Sequence, residues 1–219
     1  MSQSIVFPKP NGLGDVTRET EKTVRALRVE QGAPAAFETL HTVPGGIETQ
    51  RIAYHAVAVT DYVARHAADA VAFVIAFYSD PGLHAREVTK KPVITIGAAA
   101  MGVALARALR IGVIAASSRG MPRHLHSYRA VRSGNLIAGA QAVNLGADES
   151  GDRDLARDEF ASTGRALRVE DGADVVVLGC GDMTPLRADN EAAPGVPVID
   201  PCWTAASLAV SVCRERGIK

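Results

Sequence analysis

Cys180 is the residue whose type and setting best suit proton-transfer chemistry. It lies between two glycines in Val177-Leu-Gly-Cys-Gly-Asp-Met183, directly after an apolar run that predicts a buried strand. Flanking glycines let a ligand approach the backbone closely, and backbone N–H groups there, or a following helix N-terminus, favour the thiolate over the thiol. The same position also suits an inert cysteine in a core strand. From position alone, the two interpretations have equal weight.

The other cysteines and the histidines form no metal-binding or hydrolase pattern. Cys202 follows a strand, where it either borders a cleft or, as the favoured interpretation, has a structural role. Cys213 lies in the last helical segment and is predicted to be a packing residue. The three cysteines have no Cys-x-x-Cys spacing, so neither a zinc site nor a complete disulfide framework is expected. His124 and His126 are two positions apart and do not share a helix face. The Gly-Leu-Gly piece at 12–14 lacks the rest of a dinucleotide fingerprint, so no cofactor is predicted.

Two loops that follow predicted strands carry polar groups suited to a small anion. Asn11 follows the first strand, in a turn that presents its side chain together with backbone N–H groups. Ser117 and Ser118 follow the strand at 111–115, where they either bind a substrate or cap the next helix. Both interpretations of the serines remain open at this point.

Short β-rich runs alternate with longer helical patterns, which predicts an α/β fold with mostly parallel strands. Continuously apolar runs at 71–76 and 174–179 predict strands that are covered on both faces. The predicted strands are Ser4–Phe7, Ala36–Thr42, Val71–Phe77, Val93–Ile96, Ile111–Ala115, Ala138–Leu145, Asp174–Gly179 and Val196–Ile199. The predicted helices are Asp15–Glu30, Ile47–Ala67, Ala98–Leu109, Arg119–Arg132, Arg153–Asp171 and Thr204–Arg216.

An internal repeat relates the two halves of the chain. The segment 70–83 resembles the segment 173–186, at the offset of 103 that separates position 77 from position 180, and a Pro-Val-Ile strand follows each. One interpretation is that α/β folds reuse this pattern without further meaning. The other is two pseudo-symmetric lobes, each a short, mostly parallel sheet flanked by helices, formed by 1–97 with 203–219 and by 98–202. That interpretation places Phe77 and Cys180 at equivalent strand ends in an interlobe cleft, where such sheets bind ligands.

The composition excludes several classes of partner. Among 219 residues, 24 Lys and Arg balance 24 Asp and Glu, so neither nucleic acid nor an anionic membrane is predicted as a partner. The N-terminus has no charged segment followed by an apolar run, and no apolar stretch reaches the length of a bilayer span. We therefore expect a soluble, cytoplasmic protein with reduced thiols that acts on a small molecule.

Taken together, the motifs resemble those of the Asp/Glu/hydantoin racemase superfamily, most closely its hydantoin and allantoin racemase branch, over nearly the whole chain. Pro10-Asn11 is similar to the family's Asn-Pro-Asn-Thr loop, although Gly12 replaces the Thr. The other similar segments are Pro44-Gly-Gly-Ile-Glu48, Ser79-Asp-Pro-Gly-Leu83 with Arg86-Glu87, Val177-Leu-Gly-Cys-Gly-Asp-Met183 and Val196-Pro-Val-Ile-Asp200.

This resemblance implies cofactor-independent chemistry by two thiols, one from each lobe, on opposite faces of an acidified C–H. Phe77 stands where the family has its first cysteine, and a benzyl group transfers no proton. The related arylmalonate decarboxylases use one cysteine, at the second position. Three hypotheses follow: a racemase-type enzyme acting through Cys180, a one-thiol decarboxylase or isomerase, and a binding protein on the same scaffold. In the first, the substitute base would be Tyr78, Asp80 or Asp182.

In the enzyme hypotheses, matched position implies a role for each residue of the site. Cys180 is the acid/base, and Phe77 shapes the pocket. The residues expected to bind the substrate or to stabilise an enolate oxygen are Asn11, Phe77, Ser79, Asp80, Ser117, Ser118 and Gly181. The resemblance implies no metal and no cofactor, and it suggests a homo-oligomer.

Overall fold

The computed structural model describes residues 4–10, 12–26, 34–43, 52–78, 82–130, 133–144, 153–186 and 195–217. Backbone packing divides the chain into two compact units, Met1–Ala99 with Cys202–Lys219 and Ala100–Pro201. Each unit contains a four-stranded sheet in which every described pairing is parallel. The predicted α/β fold, with parallel sheets flanked by helices, is therefore confirmed.

The first unit has the strand order β2-β1-β3-β4. Its strands are β1 (Ser4–Lys9), β2 (Ala35–Thr39), β3 (Ala70–Ile75) and β4 (Val93–Thr95), and its helices are α1 (Gly14–Ala26), α2 (Ile52–His66) and α3 (Gly82–Ala85). Every residue of β3 is buried, as its continuously apolar sequence predicts. Phe73, Ile75 and Phe77 form a core cluster with Val59 and Val63 of α2. Burial of such side chains contributes about 1.5–3 kcal/mol each.

The second unit repeats this strand order as β6-β5-β7-β8. Its strands are β5 (Ile111–Ala115), β6 (Ile137–Ala142), β7 (Val175–Leu178) and β8 (Val198–Ile199). Its helices include α5 (Met121–Ala130) and α6 (Arg153–Val169), while α4 (Ile96–Arg107) and α7 (Pro201–Glu215) carry the chain from one unit to the other. Phe160 and Leu167 of α6 pack against Ile114 and Leu178 of the sheet.

Backbone hydrogen bonds at the strand ends also repeat, so the internal similarity in sequence is a repeat of topology. In each unit, an N–H of the third strand donates to a proline carbonyl in the loop before the fourth strand. The N–H of the residue that follows the second strand donates to the last carbonyl of the first strand. These bonds run from Phe73 N–H to the Pro92 carbonyl (2.8 Å) and from Val176 N–H to the Pro197 carbonyl (3.0 Å), and from Leu40 N–H to Lys9 and Val143 N–H to Ala115 (both 3.0 Å).

A buried lysine fixes α1 against the end of β1. Lys9 is only 2% exposed, and its ammonium donates to the Thr20 hydroxyl at 2.7 Å and to the Val16 carbonyl at 3.4 Å. Both acceptors lie on α1, so these bonds satisfy an amine that would otherwise be costly to bury. They also fix the two ends of the short loop that joins β1 to α1.

Several predicted boundaries are wrong by two or three residues, each for a local reason. The strand predicted as Val71–Phe77 ends at Ile75, because its pairing with the short β4 ends at Thr95. The strand predicted from Val196 begins at Val198, since Pro197 has no N–H to give to the ladder. The helix predicted from Thr204 begins at Pro201, because proline suits the first position of a helix.

Two other helix starts also differ from the prediction. The helix predicted from Ala98 begins at Ile96, and the one predicted from Arg119 begins at Met121, after a separate 3-10 turn at Ser118–Gly120. The predicted helices at 15–30 and 47–67 extend over 27–30 and 47–51, which lie outside the described residues. None of the helices in the described part of the chain is long and apolar enough to cross a membrane.

Replacing either of two glycines of α4 by alanine is expected to have opposite effects on stability. A Cβ at Gly97 would lie 2.6 Å from the Tyr78 carbonyl oxygen, whereas a Cβ at Gly102 would meet nothing within 4 Å. We predict that Gly97→Ala lowers the free energy of unfolding by about 1–3 kcal/mol through overpacking. Gly102→Ala, the matched control, raises it by about 0.5–1 kcal/mol through helix propensity. Urea denaturation of the two variants measures both effects, and equal shifts would contradict the close approach at Gly97.

Candidate active site

Cys180 is positioned by a very close approach of two backbones. Gly179, directly after β7, donates its N–H to the Ile114 carbonyl of β5 at 2.7 Å. A Cβ on Gly179 would lie 2.7 Å from that same oxygen, so a larger residue would push the two strand ends apart. Gly179 has this role because it lacks a side chain, rather than because of an unusual backbone angle. The bond fixes the place from which the Cys180 side chain leaves the sheet.

Phe77 occupies the same backbone position in the first unit. Ala76 directly follows β3, and Phe77 comes next. Ala76 donates its N–H to the Pro8 carbonyl of β1 at 3.2 Å. This bond matches that of Gly179. In each sheet, the residue before Phe77 or Cys180 therefore donates its N–H to the first strand of that sheet. The sequence-based prediction of equivalent positions therefore agrees with the backbone hydrogen bonds.

The two equivalent side chains have different surroundings. Phe77 is 6% exposed and belongs to the apolar core of the first unit. Its ring makes an edge contact with the ring of His55, with 4.9 Å between centroids and an interplanar angle of 81°, and His55 is fully buried. Cys180 is half-buried and packs against the core cluster of the second unit. A thiol is thus presented at one strand end, and an aromatic ring is packed inward at the other.

A 3-10 turn at Gly181–Leu186 follows Cys180 and is fixed at two points. The Cys180 carbonyl accepts the N–H of Met183 at 3.4 Å, which begins the turn. Further along, the Thr184 hydroxyl donates to a carboxylate oxygen of Asp200 at 3.3 Å, and both side chains are about 1% exposed. Sequence reasoning missed this pair, although an Asp-Pro step at a strand end is a signal for a structured turn.

The serine loop after β5 is held by hydrogen bonds within the loop and by one to the loop after β6. The Ser117 side chain accepts the N–H of Arg119 at 3.2 Å, which caps the 3-10 turn. The backbone N–H of Ser118 donates to the side-chain oxygen of Asn144 at 2.8 Å. Asn144 has a φ of 51° and follows β6. Of the two interpretations of Ser117, the structure shows the helix-capping one, while both serines are exposed at the carboxyl end of the sheet.

The remaining predicted site residues divide into two groups. Gly181 is buried and Asp182 half-buried in the turn after Cys180, so both lie beside the thiol in the chain. Asn11, Ser79 and Asp80 lie outside the described residues, as does the segment 44–48. Within the described ranges, no group of three His, Cys, Asp or Glu side chains could hold a metal ion.

A buried histidine lies beneath the serine loop. His124 is 6% exposed, and its ring reaches Gly120 of the 3-10 turn, where a Cβ would lie 3.9 Å from its Nε2. Burial, and secondarily the charge of Arg123, lowers the pKa of His124 to about 4. The imidazole is therefore neutral at physiological pH.

A thiol at the end of the third strand of a duplicated parallel sheet is the α/β arrangement that the resemblance to racemases implies. The model of the Asp/Glu/hydantoin racemase family matches residues 5–209, and the chain belongs to that family. It is 37% identical over 142 residues to a hydantoin racemase of Rhizobium meliloti and 33% identical over 144 residues to one of Paenarthrobacter aurescens. These matches cover 63% and 64% of this chain and only 58% and 61% of the relatives' lengths.

Solved structures support the same fold over nearly the whole chain. The allantoin racemase from Klebsiella pneumoniae is 28% identical, with a TM-score of 0.87 over 99% of this chain and 89% of that protein. Unliganded arylmalonate decarboxylase is 17% identical, with a TM-score of 0.65 over 95% of this chain and 91% of its own, and this likeness shows the fold alone.

The depressed pKa of His124 predicts a loss of stability in acid. The folded state binds this proton less tightly than the unfolded state, so the free energy of unfolding falls as the pH drops from 6.5 toward 4. Full protonation of His124 is expected to lower the free energy of unfolding by about 3 kcal/mol. His124→Gln removes this pH-dependent contribution. His126→Gln, an exposed neighbour on α5, is the matched control. Urea denaturation across this pH range tests the prediction, and equal pH slopes for wild type and His124→Gln would contradict it.

Proposed function

We propose that this protein is a cofactor-independent, racemase-type enzyme that moves a proton at an activated carbon through Cys180. Its substrate is a small hydantoin- or amino-acid-like molecule. One observation carries the proposal: of two equivalent strand-end positions, one holds a half-buried thiol and the other a core phenylalanine. Family membership supports the reaction type, and the hydantoin racemase relatives support the substrate class.

In this mechanism the Cys180 thiolate removes the proton from a carbon next to a carbonyl group. The electron pair of the C–H bond moves into the carbonyl and forms an enolate, whose oxygen needs hydrogen-bond donors. Backbone N–H groups of the turn that begins at Gly181 are the nearest candidates in the chain. The same thiol then returns a proton to the carbon on the same face. A single acid/base therefore exchanges the hydrogen without inverting the carbon.

The surroundings of Phe77 argue against a second base at the equivalent position. Its ring is held in the core by the edge contact with His55 and by β3 and α2. The His55 imidazole is fully buried behind that contact, so a substrate does not reach it in this arrangement. Inversion at a useful rate requires an acid/base on each face of the carbon. We therefore propose single-face chemistry rather than efficient racemisation.

Decarboxylation is the second candidate, and the single thiol is the observation that favours it. In that reaction the C–C bond to a carboxylate breaks and CO2 leaves. The electron pair of that bond moves into the neighbouring carbonyl group and forms the enolate. Cys180 as a thiol then donates one proton to the carbon. No second acid/base is needed, because the loss of CO2 generates the enolate that proton removal generates in the first reaction. The likeness in fold to arylmalonate decarboxylase is compatible with this candidate.

Removal of the thiol separates both enzyme candidates from a binding protein. We predict that Cys180→Ala lowers hydrogen–deuterium exchange at C5 of 5-substituted hydantoins, or CO2 release from aryl malonates, by about 100-fold or more. The readouts are NMR in D2O and CO2 detection. Cys213→Ala, which removes a buried thiol in α7, is the matched control. Activity that survives in folded Cys180→Ala would contradict both candidates.

A second thiol at position 77 is predicted to supply an acid/base group on the opposite face of the reacting carbon. Phe77→Cys should increase racemisation of 5-substituted hydantoins relative to exchange. The change also removes a core ring, at a cost of about 3–5 kcal/mol, so the free energy of unfolding is measured alongside. Phe77→Ala creates a similar cavity without a thiol and is the matched control. If folded Phe77→Cys racemises no faster than Phe77→Ala, the proposed equivalence of the two positions in catalysis is wrong.

A further inference from the structure

The second unit contains a groove between α5 and the edge strand β6. Met121, Leu125 and Arg129 line one side, and Ala140 and Ala142 line the other. The lining is completed by Pro122 and by the two loop residues Ser118 and Asn144, which follow β5 and β6. The groove is open to solvent and has a volume of about 530 Å³, which is within the range of sites for small organic ligands. We infer that this groove binds a small organic anion with an apolar body, at a site separate from Cys180.

The spacing of the lining residues defines the shape of the ligand. Met121, Leu125 and Arg129 are four residues apart and so lie in a row on one side of α5. Eight residues of helix span about 12 Å, with the guanidinium at one end of the row. Ala140 and Ala142 alternate on one face of β6, and their small side chains leave the space open. The groove therefore suits a flat or extended apolar body that ends in an acid.

The local charge specifies an anion. The chain is neutral as a whole, but residues 88–147 contain eight Lys and Arg and no Asp or Glu. Arg129 is exposed, and no carboxylate of the described residues forms an ion pair with it. A guanidinium binds a carboxylate through two parallel hydrogen bonds, which gives both strength and orientation. An organic carboxylate therefore complements the charged end, while its hydrocarbon part complements the apolar end.

Asp171, the acidic group that contacts β6 in the described part of the chain, does not neutralise this site. Asp171 accepts a hydrogen bond from the Gln141 side-chain amide at 3.0 Å and lies against Gly139. Residues 139 and 141 alternate with the groove-lining Ala140 and Ala142, so Asp171 is on the opposite face of the strand.

The groove and Cys180 are on different faces of the same sheet. Cys180 packs with Leu178 against the core formed with Phe160 of α6. Helix α6 contacts β5, β6 and β7, whereas the groove is formed by α5 on β6. Ser118, which was predicted from the sequence to bind the substrate, lines the groove. Because the rest of the lining lies along α5 and β6, a ligand there is not expected to contact the thiol, and its affinity should not depend on Cys180.

The proposal is tested by calorimetric titration with 3-phenylpropionate. We expect saturable binding that weakens about tenfold or more in Arg129→Met and with the uncharged probe 3-phenylpropionamide. Propionate, which lacks the ring, should also bind more weakly, and Ala142→Leu should block the groove. Arg165→Met removes an exposed arginine of α6 and is the matched control, with unchanged affinity. Binding to Cys180→Ala should also be unchanged.

Several results would overturn the inference. They are the absence of saturable binding to the wild type, equal affinity for acid and amide, and full affinity in both Arg129→Met and Ala142→Leu. Loss of binding in Cys180→Ala would show that the probe occupies the thiol site instead. Exchange at C5 probes the Cys180 site independently. If no ligand binds in the groove, the proposed function still stands, and if Cys180 proves inactive, the groove proposal still stands.

Discussion

The position of Cys180 depends on one contact, the approach of Gly179 to the Ile114 carbonyl. The hydrogen bond is 2.7 Å long, and there is no room for a Cβ beside it. The bond is slightly shorter than a typical backbone N–H···O bond of about 2.9–3.0 Å, so it holds the end of β7 firmly against β5. Since Cys180 is the next residue, its direction is set by the backbone of the sheet. The Thr184–Asp200 hydrogen bond then fixes the other end of the turn.

The first unit uses the same backbone arrangement for a different side chain. Ala76 makes the matching bond to Pro8 at 3.2 Å, and the longer distance is compatible with its methyl group. The next side chain, Phe77, is too large and apolar to remain at a polar strand end, and it packs against His55 and the core instead. Of the two equivalent positions, only the one in the second unit therefore presents a thiol. This asymmetry is the reason for proposing single-face proton transfer in a family named for racemases.

Much of the fold is predictable from the sequence, because burial leaves a pattern in it. The apolar runs that became β3 and β7, and the repeat that relates them, identify two sheets of the same order. Contacts between residues that are distant in the chain leave no such pattern. Ser118 with Asn144, Thr184 with Asp200 and His55 with Phe77 are each separated by 16 residues or more. The balanced net charge likewise gives no sign of the acid-free stretch, residues 88–147, that contains the lining residues of the groove.

The central claim is that Cys180 is the only acid/base at the reacting carbon. The most direct test follows one optically pure 5-substituted hydantoin in D2O with the wild-type protein. Deuterium incorporation at C5 and loss of optical rotation are recorded together, and the uncatalysed rates in buffer are subtracted. Single-face chemistry predicts that deuterium enters much faster than optical rotation is lost. Loss of rotation in step with deuterium incorporation would show that a second acid/base acts on the opposite face, and it would contradict the claim.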